Sequence, residues 1–213
     1  MGTDIHGIWQ ARDAAGNWMD IPSNYAQDRH YQLFAALAGV RNGVGFAGTR
    51  TGDSITPIAQ PRGYPEDFAV NADDEHPITD RSTLPAWRRA HMEPDETTYW
   101  MGDHSHSWLT GAEMLAWYAN APVVMHCGVL SREEYAGWDR QSEPEAYCGG
   151  IVGPRIVVIE DTPEAKAATP KWTHITVSWK QSLAEELGYF FDEVQRLMAR
   201  FGEDIRFVFG FDS

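Results

Sequence analysis

The chain has 213 residues, 43% of them hydrophobic, which is enough for one sizeable core and sets the expectation of a single domain. Thirty-one acidic residues against 17 basic ones give a formal charge of -14, which speaks against duplex DNA as a partner, because that binding rests on a cationic footprint. No apolar run approaches the ~20 residues of a membrane-spanning helix. The opening Met1-Gly2-Thr3-Asp4-Ile5-His6 has neither the layout of a secretion signal nor the hydroxyl residue of a myristoylation site. A cytoplasmic protein is expected, with Cys127 and Cys148 as reduced thiols and a single bridge between them as the alternative.

In chain order, Ile5 to Arg12 and Trp18 to Ile21 read as two strands joined by a turn over Asp13 to Asn17, which puts Asp4 and His6 on a strand. Asn24 and Gln27 have capping-box spacing, and the helix they would start aligns Tyr31, Phe34, Leu37 and Ala38 before Gly39 ends it. From Arg41 to about Trp100 periodicity is lost among Gly, Pro, Asp and Thr, including Asp73-Asp74-Glu75. Its aromatic residues (Phe46, Tyr64, Phe68, Trp87, Tyr99, Trp100) argue for ligand-facing loops rather than disorder.

Thr110 with Glu113 forms a second capping box, opening a helix that stops ahead of Pro122. Val123 to Val129 and Ile151 to Ile159 read as strands, with a short helix around Glu133 to Trp138 between them and a linker over Asp161 to Pro170. Trp172 to Trp179 is a further strand, and Ser182 with Glu185 caps the longest helix, which Gly202 ends. Ile205, Phe207, Phe209 and Phe211 alternate along a last strand. The pattern predicts the α+β class: helices on one face of a mostly antiparallel sheet, with a long irregular insertion over about 41 to 100.

Three groups of residues could carry chemistry. In Asp4-Ile5-His6-Gly7 a carboxylate and an imidazole project from the same strand face, as a metal site or an acid-base pair requires. This segment resembles the opening of calcineurin-like phosphoesterases, and Gly102-Asp103 echoes their second motif, but the chain contains no Asn-His dipeptide and the match is rejected. In Gly102-Asp103-His104-Ser105-His106-Ser107-Trp108 two imidazoles, a carboxylate and two hydroxyls precede a helix; a metal clamp, an anion site and a plain capping loop are all open readings. Third, Arg29, Arg41 and Arg62 stand in polar, Gly-rich surroundings where a guanidinium fork either holds a phosphate or neutralises a neighbouring carboxylate. His126 reads as a core histidine, His30, His76, His91 and His174 as isolated, and Glu185-Glu186 as a solvated face.

Met1-Gly2-Thr3-Asp4-Ile5-His6, Asp28-Arg29-His30-Tyr31, Pro61-Arg62-Gly63-Tyr64-Pro65, Gly102-Asp103-His104-Ser105-His106-Ser107-Trp108-Leu109 and Phe207-Val208-Phe209-Gly210-Phe211-Asp212 together resemble a family of small proteins from bacteriophage genomes and prophages that begin Met-Gly-x-Asp-Ile-His. The resemblance spans the chain and implies a phage origin and the cytoplasm of a bacterial host, without implying a mechanism. Relatives often carry another metal-capable residue along the first strand, where this chain has Ile8 and Gln10.

The expectation for function is a pocket acting on a small anionic, phosphorylated or nucleotide-like molecule, by hydrolysis assisted by a divalent metal ion. Asp4, His6, Asp103 and His104 would be catalytic, and Asp4, His6, His104 and His106 would be the metal ligands. Arg29, Arg41, Arg62, Tyr64, Ser105, Ser107 and Trp108 would hold the ligand. The alternatives are a sponge that sequesters a nucleotide-type host defence signal and an acidic protein that docks on a host enzyme. A homo-oligomer is compatible with each. All of this requires the Asp4-His6 pair and the His104 turn to meet in one cavity.

Overall fold

The computed structural model describes residues 2–44, 48–68, 70–71, 76–77, 89 and 100–212. Phe46, Asp73, Asp74, Glu75, Trp87, His91 and Tyr99 lie outside the described residues. The described chain is an α+β structure. Strand β1 (Asp4–Arg12) turns back into β2 (Trp18–Ile21) through a loop in which one Asp13 carboxylate oxygen accepts from the Ala15 and Asn17 N–H groups, both at 2.8 Å. The last strand, β9 (Ile205–Asp212), lies antiparallel against β1 with Ile5 opposite Phe211 and Trp9 opposite Phe207, so the two ends of the chain are neighbours at the centre of the sheet. Strand β5 (His104–Thr110) pairs with the other side of β9, giving the order β2-β1-β9-β5.

Because strand side chains alternate, each strand splits its residues between two layers. Ile5, Trp9, Phe207, Phe209, Phe211 and Leu109 face the helices α1 (Tyr31–Ala38), α2 (Gly111–Tyr118) and α6 (Gly188–Phe201) and pack on Phe34, Phe190, Phe191 and Leu197. Each wholly buried Phe contributes roughly 1.5–3 kcal/mol of transfer free energy, which makes this layer the main core. On the opposite face Ile8 and Val208 are covered by Phe68 and Met101, with Tyr64 and Trp108 at the edge.

A second sheet is built from β6 (Val123–Ser131), β8 (His174–Ser182) and β7 (Val158–Glu160); β6 and β8 are antiparallel and β7 runs parallel to β8. Its own core of Leu130, Ile175, Val177 and Trp179 is closed by Tyr135 of α3 (Arg132–Gly137) and by Trp172. A two-residue ribbon, β3 (Val70–Asn71) and β4 (His76–Pro77), lies inside the irregular insertion. No helix among the described residues is long and apolar enough to cross a membrane. Cys127 and Cys148 are free thiols.

Several elements differ from expectation for identifiable reasons. Asn24 and Gln27 start no helix: Gln27 has φ 56° and its amide clamps the Gly7 backbone, accepting from N–H at 3.2 Å and donating to C=O at 2.7 Å. The helix begins at Tyr31 instead, with His30 as its cap, and ends at Gly39 in the left-handed region as expected. Gly153 and Pro154 break the run from Ile151, leaving only Val158–Glu160 as strand. The linker after Asp161 holds the short helix α4 (Pro163–Ala168), capped by Thr162. Ser182 caps only α5 (Leu183–Glu186); the path kinks at Leu187 and the long helix starts afresh at Gly188, a poor helix former.

Candidate functional site

At the end of the first sheet, β1 holds Asp4 and His6 on the face opposite the helices. The buried His6 places Nε2 3.1 Å from Asp212 Oδ2, and its ring lies 4.7 Å from that of Trp100. The other Asp212 oxygen accepts from the Asp4 N–H at 3.0 Å. The Asp4 carboxylate is taken up by Arg29, which forks onto both its oxygens at 2.9 and 2.6 Å, and that bond holds its pKa below the usual carboxylate range.

Strand β5 divides the expected constellation. Ser107 pairs with Phe209 and Trp108 with Val208, yet His104 pairs with Phe211, so one extra residue is inserted between them, with Ser105 at φ 54°. In an unbulged strand His104 and His106 would share the face of His6. The bulge instead puts His104 on the Phe211 side, its ring stacked at 6.2 Å and its Nδ1 2.9 Å from Ser105 Oγ. His106 stays beside Gly210, bonds Gly102 C=O through Nε2 at 3.0 Å and stacks on Tyr64 at 4.7 Å. Asp103 is exposed, and its N–H donates to Phe211 C=O at 2.7 Å; Ser107 is buried.

Among the described residues no three His, Cys, Asp or Glu side chains are placed to share a metal ion. Arg62 is also committed elsewhere. Its guanidinium lies 4.0 Å over the Trp108 ring, bonds the Trp108 carbonyl and forks onto Glu113 at 3.0 and 2.9 Å. Arg62, Tyr64 and Trp108 are thus brought together, but apart from Arg29 and Arg41, which line another cavity.

Arg29 and Arg41 line a different space, a cavity of about 260 Å³ between α1 and β6. Tyr31, Gln32 and His30 enter it from the start of α1, His126 and Cys127 from β6, and Tyr147 from the connector after α3. Arg41 adopts φ 57° just past the Gly39 turn, which brings its Nε within 2.8 Å of Thr3 Oγ1 and its guanidinium 5.7 Å from the Tyr31 ring. The opposite wall depends on Gly52, at φ 143°: a Cβ there would lie 2.3 Å from the Met125 carbonyl, so only glycine lets the Thr51–Asp53 segment cross His126 so closely. Asp53 also lines the cavity, accepting from the Met125 N–H at 3.0 Å.

Between His30 and His126 stands Glu186, its side chain 10% exposed, with Oε1 3.6 Å from His30 Nε2 and Oε2 3.5 Å from His126 Nε2. Oε2 and His126 Nε2 are buried and find no hydrogen-bond partner among the described residues. Burial, with the charge of Glu143 adding to it, pushes the Glu186 carboxyl up to about 7. Burial also pushes both imidazoles down. His30 Nδ1 accepts from the Leu33 N–H at 3.4 Å as the helix cap, which leaves the proton of the neutral ring on Nε2, facing Glu186. His126 Nδ1 lies 3.3 Å from the Gln32 amide.

This cluster is where sequence reading fails. His30 reads as isolated, His126 as plain core and Glu186 as part of a solvated acidic pair, because the three are separated along the chain and only tertiary packing joins them. The one local signal is Gly188, whose break in the helix pattern turns Glu186 inward. Comparison with family models, curated proteins and solved structures finds no match to the chain.

Proposed function

We propose that this protein binds a compact anionic molecule of nucleotide type in the cavity between α1 and β6, as a capturing protein of phage origin. The observation that carries this reading is the placement of two guanidinium groups, Arg29 and Arg41, beside the imidazoles of His30 and His126 around one concavity whose lining, among the described residues, holds a single carboxylate, Asp53, in a chain of net charge -14. A guanidinium pairs two phosphate oxygens at once, and the rings of Tyr31 and Tyr147 offer an apolar surface to a base or sugar. A volume of about 260 Å³ is below the ~300 Å³ at which sites for drug-sized molecules begin, so the ligand class is a mononucleotide or smaller.

A second reading, hydrolysis of the same ligand, is favoured by one observation: a carboxyl with a pKa of about 7 set against two imidazoles is suited to acid-base work. The two readings separate on turnover. Native mass spectrometry of the protein from its producing cells identifies a retained molecule. Incubation with inorganic phosphate, AMP and cyclic AMP, each with EDTA or with added Mg²⁺ or Zn²⁺, then shows whether the ligand is returned intact or altered, and whether a divalent ion takes part. Intact ligand released on denaturation supports capture; a product supports hydrolysis. Failure of every anion to bind, and of Arg41→Ala to change anything, overturns both.

A further inference from the structure

The Glu186 carboxyl has no role in simple capture, and its position is costly. A buried polar atom without a hydrogen-bond partner loses its solvation with no return, and here two that have none among the described residues, the carboxylate oxygen Glu186 Oε2 and the imidazole nitrogen His126 Nε2, face each other at 3.5 Å. Glu186 also lies within 3.6 Å of His30, and both histidines line the cavity. A charge entering the cavity therefore acts on this cluster through a single layer of side chains.

We propose, resting on the anion-capture reading above, that Glu186 couples ligand binding to proton uptake: the anion enters as the Glu186, His30 and His126 cluster gains a proton. A negative charge beside the imidazoles opposes ionisation of Glu186 and favours the imidazolium forms, so the bound state holds more protons than the free one. The groups bearing on the cluster are few. Glu143 and Tyr147 approach Glu186 from the connector after α3, Tyr189 from α6, Asp28 bears on His30, and Asp53 on His126. Burial pushes Tyr147 and Tyr189 to about 12, so they do not titrate near neutrality. Glu186, its two oxygens set against both imidazoles and its carboxyl pushed up to about 7, is the group assigned the charge change.

The sign follows from linkage. Where binding takes up a proton, affinity falls as pH rises, toward a limit of about tenfold per pH unit for one proton. The probes are sulfate and cyclic AMP, whose charges are constant between pH 6 and 8, and AMP corrected for its own ionisation. Calorimetry of the native chain at pH 7 in two buffers of different protonation heat is expected to register uptake of a substantial fraction of a proton, with affinity falling from pH 6 to pH 8. Glu186→Gln keeps the size of the side chain and removes the titration, so it is expected to bind with most of that fall abolished. Binding with equal heats in both buffers, or a Glu186→Gln protein that keeps the pH dependence, overturns the coupling and leaves the capture reading intact. No binding of any probe at any pH removes the capture reading itself, and the coupling with it. If Glu186→Gln does not fold, the two-buffer measurement on the native chain decides alone.

Discussion

Arg29 holds Asp4 by both carboxylate oxygens, at 2.9 and 2.6 Å, across 25 residues of sequence. This pair ties the first strand to the segment ahead of α1 and sets the Asp4 charge against a guanidinium that lines the cavity. Under the capture reading proposed above, Asp4 competes with an incoming anion for that guanidinium.

Asp4→Asn is accordingly expected to tighten anion binding a few-fold, where a catalytic Asp4 would make the same change abolish activity. Both side chains are about half exposed, 51% for Arg29 and 45% for Asp4, so the stability cost is expected to stay below ~1 kcal/mol. Calorimetric titration with cyclic AMP and urea unfolding check the two halves of this statement.

Arg41 lines the cavity and Arg62 lies outside it. Arg41→Ala is expected to weaken anion binding at least tenfold, the scale of a lost charge-assisted hydrogen bond of ~1.5–3 kcal/mol. Arg62→Ala removes the fork to Glu113 and the cover over Trp108, and is expected to cost ~1 kcal/mol of stability with affinity unchanged. Equal effects of the two on binding would place the ligand elsewhere.

Gly210 marks how closely β9 is crossed. A Cβ at this position would lie 2.2 Å from the Met101 carbonyl oxygen and 2.5 Å from His106 Cδ2. Since a backbone oxygen cannot step aside, Gly210→Ala is expected to destabilise by ~1–3 kcal/mol, read as a lower urea midpoint.

Acid sensitivity is expected to arise partly from Glu193. Burial raises the pKa of this carboxyl, but Arg196 at 2.6 Å, the Asn24 N–H at 2.6 Å and Ser23 at 2.8 Å outweigh it and hold the group below its ordinary value. A depressed folded pKa means the stabilisation is present above the unfolded carboxyl range and is lost as pH falls through the folded value. Glu193→Gln is expected to lose ~2 kcal/mol at pH 7 and to unfold with a weaker dependence on acid, measured as urea midpoints from pH 7 down to pH 3.

The linear chain was sufficient for what depends on neighbours. Alternation in Ile205 to Phe211, the Thr110-Glu113 capping box and the Gly39 and Gly202 stops each act over a few residues, and each stands where its pattern places it, although the helices that Gly39 and Gly202 end start later than their capping signals predict. The α+β class follows from the same signals. What only tertiary packing decided is which side chains meet. One inserted residue at Ser105 reverses the face of His104, because strand parity has period two, and a kink at Leu187 turns Glu186 from a surface acid into the buried partner of two histidines. Neither outcome has a local signature strong enough to read: the first turns on a single residue of register against β9, the second on contacts that join residues 30, 126 and 186.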